Sequence, residues 1–298
     1  MRADRPSRTA LQVAQAVAYL AADARVGALL PPGLAATNER LLLASGLISP
    51  RRLHSFTRPG FRRLRDWLDS LGAHGQLLHV GLRKRLVYDL AAAAIAAGCR
   101  QLLVVGGGLD TLAWRLATEH AGVSCFEIDH PASQARKRAA LVALGPLPPN
   151  LHLVPVDLAA GGLAGALAAP SWDSGARTFA VAEAVLMYLP REAVERTFRE
   201  LHAASGAGSE LLFSYLRRDA RGGLLLGKRP RLAALALAMG GEPLRWAVGE
   251  GELAAVLAAA GWSLAVEAFD LRARYVEPAG LGDRPLADIE LFALARRD

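Results

Sequence analysis

Three consecutive glycines, Gly106 to Gly108, follow a short apolar run and precede a helical pattern. The apolar run at residues 101–105 shows no alternation, which is typical of a strand buried on both faces. Glycine permits a sharp turn and lets a ligand approach where a Cβ atom would collide. The helix that follows offers unpaired N–H groups at its N-terminus. The pattern predicts a ligand-binding turn, and a tight strand-to-helix turn without a ligand is the alternative.

An acidic residue stands at the end of the next predicted strand. Asp129 lies 23 residues after Gly106, close to the spacing of about 20 at which a carboxylate binds a nucleotide ribose. Glu127 points to the same strand face and competes for this role. Thr111 replaces the third glycine of the dinucleotide pattern, which counts against an NAD site. Either acid could instead stabilise the N-terminus of a helix that starts at Pro131.

Two more acids follow predicted strands, Asp157 after the third strand and Glu183 after the fourth. Because the carboxyl ends of parallel strands line one crevice, Asp129, Asp157 and Glu183 should converge there. Several carboxylates suit a ligand with hydroxyl groups, an amino group and a positive charge. They suit a pyrophosphate poorly, because the charges repel. The acids therefore predict a site for a cationic ligand.

Arginine supplies most of the positive charge. The chain has 35 basic and 28 acidic residues, a net charge of +7, and its lysines are Lys84, Lys137 and Lys228. Residues 51–65 hold six arginines with aromatic residues in and just after the stretch. We interpret this stretch as a solvated face with Phe56, Phe61 and Trp67 turned inward. A lid that attracts an anionic substrate, or a surface for an acidic carrier protein, is the alternative.

Composition excludes several classes of protein. The 298 residues are 52% hydrophobic, enough for a large core. Two cysteines, Cys99 and Cys125, exclude a disulfide scaffold and a Cys-rich zinc site, and no metal site is predicted. No apolar run reaches the roughly 18 residues of a membrane span, and residues 11–22 do not form a signal peptide. We expect a cytoplasmic protein without a membrane or nucleic-acid partner.

Strands and helices alternate after residue 83, and these elements must position the acids. The strands are predicted at residues 101–105, 123–128, 151–156, 178–182 and 210–215, with 263–269 and 288–295 as a hairpin-like edge. The helices are predicted at residues 83–97, 110–117, 131–144, 191–204 and 250–260. Such alternation predicts an α/β fold with a doubly wound, seven-stranded, mostly parallel sheet.

The chain is predicted to divide into two parts. Residues 1–82 form a helical cap or lid, with one helix at residues 11–22 and another that Asn38 caps and that runs to residue 43. Residues 83–298 form the ligand-binding core, with a helical insertion at about residues 217–248.

Six segments with chemistry-bearing residues follow one another along the chain. They are SRTA (7–10), RKR (83–85), GCRQLLVVGGGLDTLAWR (98–115), FEIDHP (126–131), PVDL (155–158) and EAVLMYLP (183–190). Together these segments resemble the leucine carboxyl methyltransferase family of S-adenosylmethionine-dependent enzymes. The likeness covers roughly residues 7–215 and implies the Rossmann-like sheet of class I methyltransferases. Arg8 matches an N-terminal basic residue that reaches the cofactor in this family.

The resemblance also implies the other cofactor-binding residues, which are Arg83, Gly106, Gly107, Gly108, Asp129, Asp157, Leu158 and Glu183. By position, Arg83 would bind the methionine carboxylate of S-adenosylmethionine, and Glu183 would lie near its amino group. Asp129, rather than Glu127, would bind the ribose. Asp157 and Leu158 would flank the adenine.

The implied reaction is O-methylation of a small molecule or of a carrier-bound acid, with a methyl ester on a carboxylate as one product. A carboxylate is already ionised at neutral pH and needs orientation more than a base. A hydroxyl acceptor would need a general base; the candidates are His79, His130, Tyr88 and Tyr188, and no catalytic residue is assigned. The net charge suggests an anionic acceptor. The alternatives are an NAD-dependent oxidoreductase and an inactive cofactor-binding protein, and the sequence does not define the oligomeric state.

Overall fold

The computed structural model describes residues 8–71, 74–169, 171–225 and 243–298. Its helices are α1 (Arg8–Ala21), α2 (Ala24–Gly27), α3 (Leu34–Ala44), α4 (Pro50–Ser55), α5 (Pro59–Leu71), α6 (Gln76–Ala96), α7 (Leu112–Glu119), α8 (Pro131–Leu144), α9 (Leu163–Ala166), α10 (Arg191–Ala203) and α11 (Glu252–Ala258). Its strands are β1 (Gln101–Val105), β2 (Ser124–Asp129), β3 (Leu151–Pro155), β4 (Thr178–Ala182), β5 (Glu210–Leu216), β6 (Ser263–Val266) and β7 (Glu290–Arg296). Short 3₁₀ and π-helical turns occupy Leu186–Tyr188 and Arg272–Val276.

The strands form one sheet in the order β3-β2-β1-β4-β5-β7-β6. Neighbouring strands from β3 to β5 pair in parallel, whereas β7 pairs antiparallel with both β5 and β6. The predicted seven-stranded, mostly parallel α/β sheet is therefore confirmed. The strand order reverses between β1 and β4, and a crevice opens at the carboxyl ends of the strands at such a switch point.

The sheet separates two hydrophobic layers because side chains alternate along each strand. Leu102 and Val104 of β1 pack into one layer with the N-terminal helices and α6. Leu103 and Val105 pack into the other layer with α10 and α11. All five residues of β1 are buried, as its mostly apolar sequence without alternation predicts.

Helix α6 begins at Gln76, seven residues before the predicted start at residue 83. Most of its side chains are buried on every side of the helix, including Arg83 and Lys84. A helix without a polar face has no amphipathic period, so the sequence pattern could not show where it begins. The division of the chain at residue 82 falls inside this helix and stays a prediction.

Asn38 does not cap a helix, which corrects the sequence prediction. Helix α3 begins at Leu34, after Gly33 in a left-handed conformation (φ 72°). Asn38 is buried inside the helix, and its Nδ2 donates to the Ala14 carbonyl at 2.9 Å. The amide therefore joins α3 to α1 instead of ending a helix.

The basic stretch forms α4 and α5, which begin at Pro50 and Pro59. Phe56 is buried and Phe61 is half-buried, in agreement with the inward orientation expected for these rings. Trp67 is 57% exposed, so the interpretation that it turns inward is wrong.

The helical insertion predicted at about residues 217–248 lies largely outside the described residues, which omit 226–242. The two described flanks of this segment pair with each other, since Arg218 N donates to the Val248 carbonyl at 2.9 Å. Among the described helices, none has the length and apolar character needed to cross a bilayer.

Candidate functional site

A cavity of about 250 Å³ opens at the carboxyl ends of the parallel strands. Most of the predicted site residues line it, namely Arg83, Gly106, Gly107, Gly108, Asp129, Asp157, Leu158 and Glu183. Helices α1 and α3 form the opposite wall, which is mainly apolar and includes Val13, Val17 and Leu34. The site therefore lies between the sheet and the N-terminal helices.

The glycine turn needs glycine for two separate reasons. Gly106 (φ 70°) and Gly108 (φ 51°) adopt left-handed conformations that other residues rarely adopt. At Gly107, a Cβ atom would lie 2.5 Å from the Glu127 carboxyl carbon, and at Gly108 it would lie 2.9 Å from Ala10 Cβ. The turn therefore exposes its backbone to the cavity, and α1 passes directly over it.

The two acids at the end of β2 have different surroundings. Asp129 lines the cavity and accepts the backbone N–H groups of Gly108 and His130. Each of its oxygens has a further lone pair for a hydroxyl donor. Burial raises the pKa of Asp129, and the two N–H groups oppose this effect.

Glu127 lies beneath the glycine turn, outside the cavity lining. It is 1% exposed, and both of its oxygens lie 2.6 Å from Nζ of the fully buried Lys137. The geometry thus separates the two competing acids, because only Asp129 faces the cavity.

Asp157 and Leu158 follow β3 at the rim of the cavity. Asp157 is exposed, and its Oδ1 accepts the N–H group of Ala159 at 3.0 Å. Leu158 is buried. The pair therefore offers a carboxylate and an apolar surface side by side.

A buried group of charges surrounds Glu183 at the end of β4. Arg83 Nε lies 2.8 Å from its carboxylate, and Lys84 Nζ lies 3.0 Å away. Burial raises the pKa of Glu183, whereas Lys84 and Arg83 lower it in part. Helix α6 thus brings two cations to the acid that the sequence placed at this site.

Sequence reasoning missed two further members of this group, Asp110 and Glu290. Lys84 donates to Asp110, and this cation lowers the pKa of Asp110 to about 2 although burial acts in the opposite direction. Arg83 Nη1 donates to Glu290 in β7. Asp110 lies two residues after Gly108, and this position next to the glycine turn could have indicated it. Glu290 lies 207 residues from Arg83 and has no comparable signal.

Arg8 is exposed at the first position of α1 and is not part of the cavity lining, although the adjacent Thr9 is. His130 and Tyr188, two of the candidate bases, line the cavity. His79 and Tyr88 do not. Burial lowers the pKa of His79 to about 4, so its imidazole is neutral at physiological pH.

Comparison with known proteins gives consistent matches. The family model described as leucine carboxyl methyltransferase matches residues 39–202. A provisionally named S-adenosyl-L-methionine-dependent methyltransferase of Mycolicibacterium smegmatis is 36% identical over 151 residues, which cover 50% of this chain and 49% of that protein. A protein with the same provisional name from Mycolicibacterium paratuberculosis is 34% identical over 180 residues, which cover 57% of this chain and 56% of that protein. The matches thus span about half the length of these relatives.

Two solved structures share the fold. A provisionally named methyltransferase from Thermobifida fusca aligns with a TM-score of 0.57 and 16% identity, covering 81% of this chain and 89% of that chain. A DUF574 family protein from Streptomyces avermitilis aligns with a TM-score of 0.54 and 17% identity, covering 87% and 96%.

Proposed function

Because the chain belongs to the leucine carboxyl methyltransferase family, we propose that it is an S-adenosylmethionine-dependent methyltransferase. The observation that carries the proposal is the convergence of the Gly106–Gly108 turn, Asp129 and the buried Glu183–Arg83 pair on one cavity. The relatives are named as methyltransferases and do not favour the NAD-dependent alternative.

The residues present fit this cofactor. All three glycines of the turn line the cavity, so a ligand there can approach the backbone without meeting a side chain from the turn. Among the described lining residues, four carboxylates face three Lys or Arg side chains. A cavity with surplus carboxylates favours a positively charged ligand. When bound, S-adenosylmethionine would supply an electrophilic methyl group on a cationic sulfur.

Each site residue has a proposed part in holding the cofactor. Asp129 would accept hydrogen bonds from the ribose hydroxyls, while Asp157 and Leu158 would flank the adenine. Arg83 would bind the methionine carboxylate, and Glu183 would attract the amino group. Arg83 and Glu183 are restrained before any ligand binds, since Arg83 contacts both Glu183 and Glu290. That Arg8 also binds the cofactor stays a prediction.

The methyl acceptor is proposed to be the carboxylate of a small molecule or of a carrier-bound acid, which gives a methyl ester. Its oxygen is already ionised at neutral pH, so the chain needs no base for the transfer. The apolar wall formed by Val13, Val17 and Leu34 would exclude water from the reacting groups. Correct orientation of the acceptor can lower the activation free energy of the transfer by about 7–11 kcal/mol.

Titration calorimetry should detect binding of S-adenosylhomocysteine and no binding of NAD. S-adenosylhomocysteine is the demethylated form of the cofactor and keeps the ribose, the adenine and the amino acid group to which the proposed site residues would bind, whereas the carboxylates repel a pyrophosphate. Tight binding of NAD without binding of S-adenosylhomocysteine would overturn the proposed cofactor.

Alkali treatment of the product should release the transferred methyl group as methanol. The enzyme would be incubated with methyl-labelled S-adenosylmethionine and separate sets of small carboxylic acids and phenols. An ester is hydrolysed by alkali, so the label should become volatile. A label that stays with the acceptor would indicate an ether or an amine and would contradict the carboxylate assignment.

A further inference from the structure

Helix α5 leaves three large apolar side chains about half exposed to solvent. Leu64, Trp67 and Leu68 lie at helical spacing and are 53%, 57% and 46% exposed. They occupy an arc of roughly 100° on the helix. Phe61, next to this arc, is half-buried and packs against Tyr19 and Phe56. A surface helix of a globular protein normally directs such an arc toward the core. The described part of the chain gives α5 the opposite orientation.

The polar side of α5 makes the contacts with the rest of the protein. Tyr19 of α1 donates to Asp66 at 2.8 Å, and Asp69 accepts the Gly75 N–H group at 2.9 Å. The Arg62 guanidinium lies 4.5 Å from the centre of the Tyr19 ring and pairs with Asp23 at 3.4 Å. These contacts fix the rotation of the helix, so the apolar side cannot turn inward while they persist.

Arginines border the exposed apolar row. At 100° per residue, Arg63 lies about 40° beyond Trp67 on one side and Arg65 about 60° beyond Leu68 on the other, and both are exposed. Exposed arginines also occupy positions 51, 52 and 58 in α4 and in the turn that follows it. None of these five forms an ion pair with another residue that the structure describes.

We propose that α4 and α5 form a docking surface for an anionic phospholipid membrane. A helix with an apolar side that holds Trp and Leu, bordered by Arg, matches helices that lie in the plane of the lipid interface. Leu64, Trp67 and Leu68 enter the boundary between headgroups and acyl chains. The guanidinium groups reach the lipid phosphates, to which clustered basic residues are attracted.

The positive charge of α4 and α5 favours an anionic membrane over a second copy of the chain as the partner of this surface. A symmetric contact through α5 would bring the exposed arginines of two copies together, and such like charges repel. The sequence-based expectation of no membrane partner relied on the lack of an apolar run of spanning length. A helix that lies in the interface requires no such run. The proposal does not depend on the proposed methyltransferase activity.

Co-sedimentation of the full chain with lipid vesicles tests the proposal. We expect binding to vesicles of phosphatidylcholine mixed with phosphatidylglycerol, weaker binding to phosphatidylcholine alone, and a decrease with added salt. The double variant Leu64→Ser/Trp67→Ser should lower the partition coefficient at least tenfold, because two large apolar side chains no longer enter the lipid. Arg63→Gln/Arg65→Gln should reduce the preference for the anionic vesicles, because two of the five exposed arginines are lost.

A matched control is Val142→Ser, which replaces an apolar side chain 58% exposed on α8 and should leave binding unchanged. An unchanged unfolding transition in urea would show that the α5 variants are folded. The proposal is overturned if the chain does not bind the anionic vesicles, or if the Leu64→Ser/Trp67→Ser variant binds them as the unmodified chain does. The alternative occupants of this surface are a second copy of the chain and an acidic protein. The proposal is also overturned if the Leu64→Ser/Trp67→Ser variant loses dimerisation in the absence of lipid, or loses binding of an acidic protein, but still binds the vesicles.

Discussion

Lys137→Met should lower the free energy of unfolding by about 3–5 kcal/mol, because it leaves a buried carboxylate without its counter-ion. Lys137 is 0% and Glu127 1% exposed, and both Glu127 oxygens lie 2.6 Å from Lys137 Nζ. Water cannot replace the lost partner at this position. Equilibrium unfolding in urea measures the change.

The double variant Glu127→Leu/Lys137→Met removes both charges and should recover most of the lost stability. Arg136→Met is the matched control, since Arg136 is exposed one position away, and it should change the stability by less than about 0.5 kcal/mol. A loss below about 1 kcal/mol for Lys137→Met would contradict the importance of the pair for stability.

The effect of Lys137→Met should grow as pH rises. Burial raises the pKa of Glu127 to about 7 even with Lys137 present. A group whose pKa is higher in the folded state loses its stabilising contribution as pH rises toward that folded pKa. Without Lys137, the folded chain must keep Glu127 protonated, which costs little near pH 5 and more near pH 8. Unfolding measured at both pH values should show the larger loss at pH 8.

Asp129→Ala should weaken the binding of S-adenosylhomocysteine at least tenfold, which corresponds to about 1.4 kcal/mol. The substitution removes the carboxylate proposed to bind the ribose. It also removes the acceptor of the Gly108 and His130 N–H groups, which helps to hold the glycine turn. Titration calorimetry on the folded variant gives the affinity directly.

Two further variants separate these contributions. Asp129→Asn keeps a carbonyl acceptor for one backbone N–H group and should lose less affinity than Asp129→Ala. Asp173→Ala serves as the control, because Asp173 also accepts a backbone N–H group, that of Gly175 at 2.9 Å, outside the cavity lining. Unchanged affinity in Asp129→Ala would remove this residue from the proposed site.

Much of the fold could be predicted because its signals are local. The apolar run of β1 indicated a fully buried strand, and both β1 and β4 have the predicted bounds. Gly106 and Gly108 mark a turn that requires left-handed backbone conformations. Acids that directly follow parallel strands must lie at one edge of the sheet. For this reason, Asp129, Asp157 and Glu183 could be grouped before their distances were known.

Tertiary packing decided what local patterns could not. Glu127 and Asp129 point to the same strand face, and their different roles follow from Lys137, which α8 places beneath the glycine turn. Glu290 reaches Arg83 only because β7 packs beside β5. The sequence predicted that Trp67 turns inward, but the contacts of Tyr19 with α5 decided which side of this helix faces solvent. A sequence pattern reports the chemistry of one segment. The partner of a buried charge, and the direction in which the apolar side of a helix points, depend on distant segments that the fold brings together.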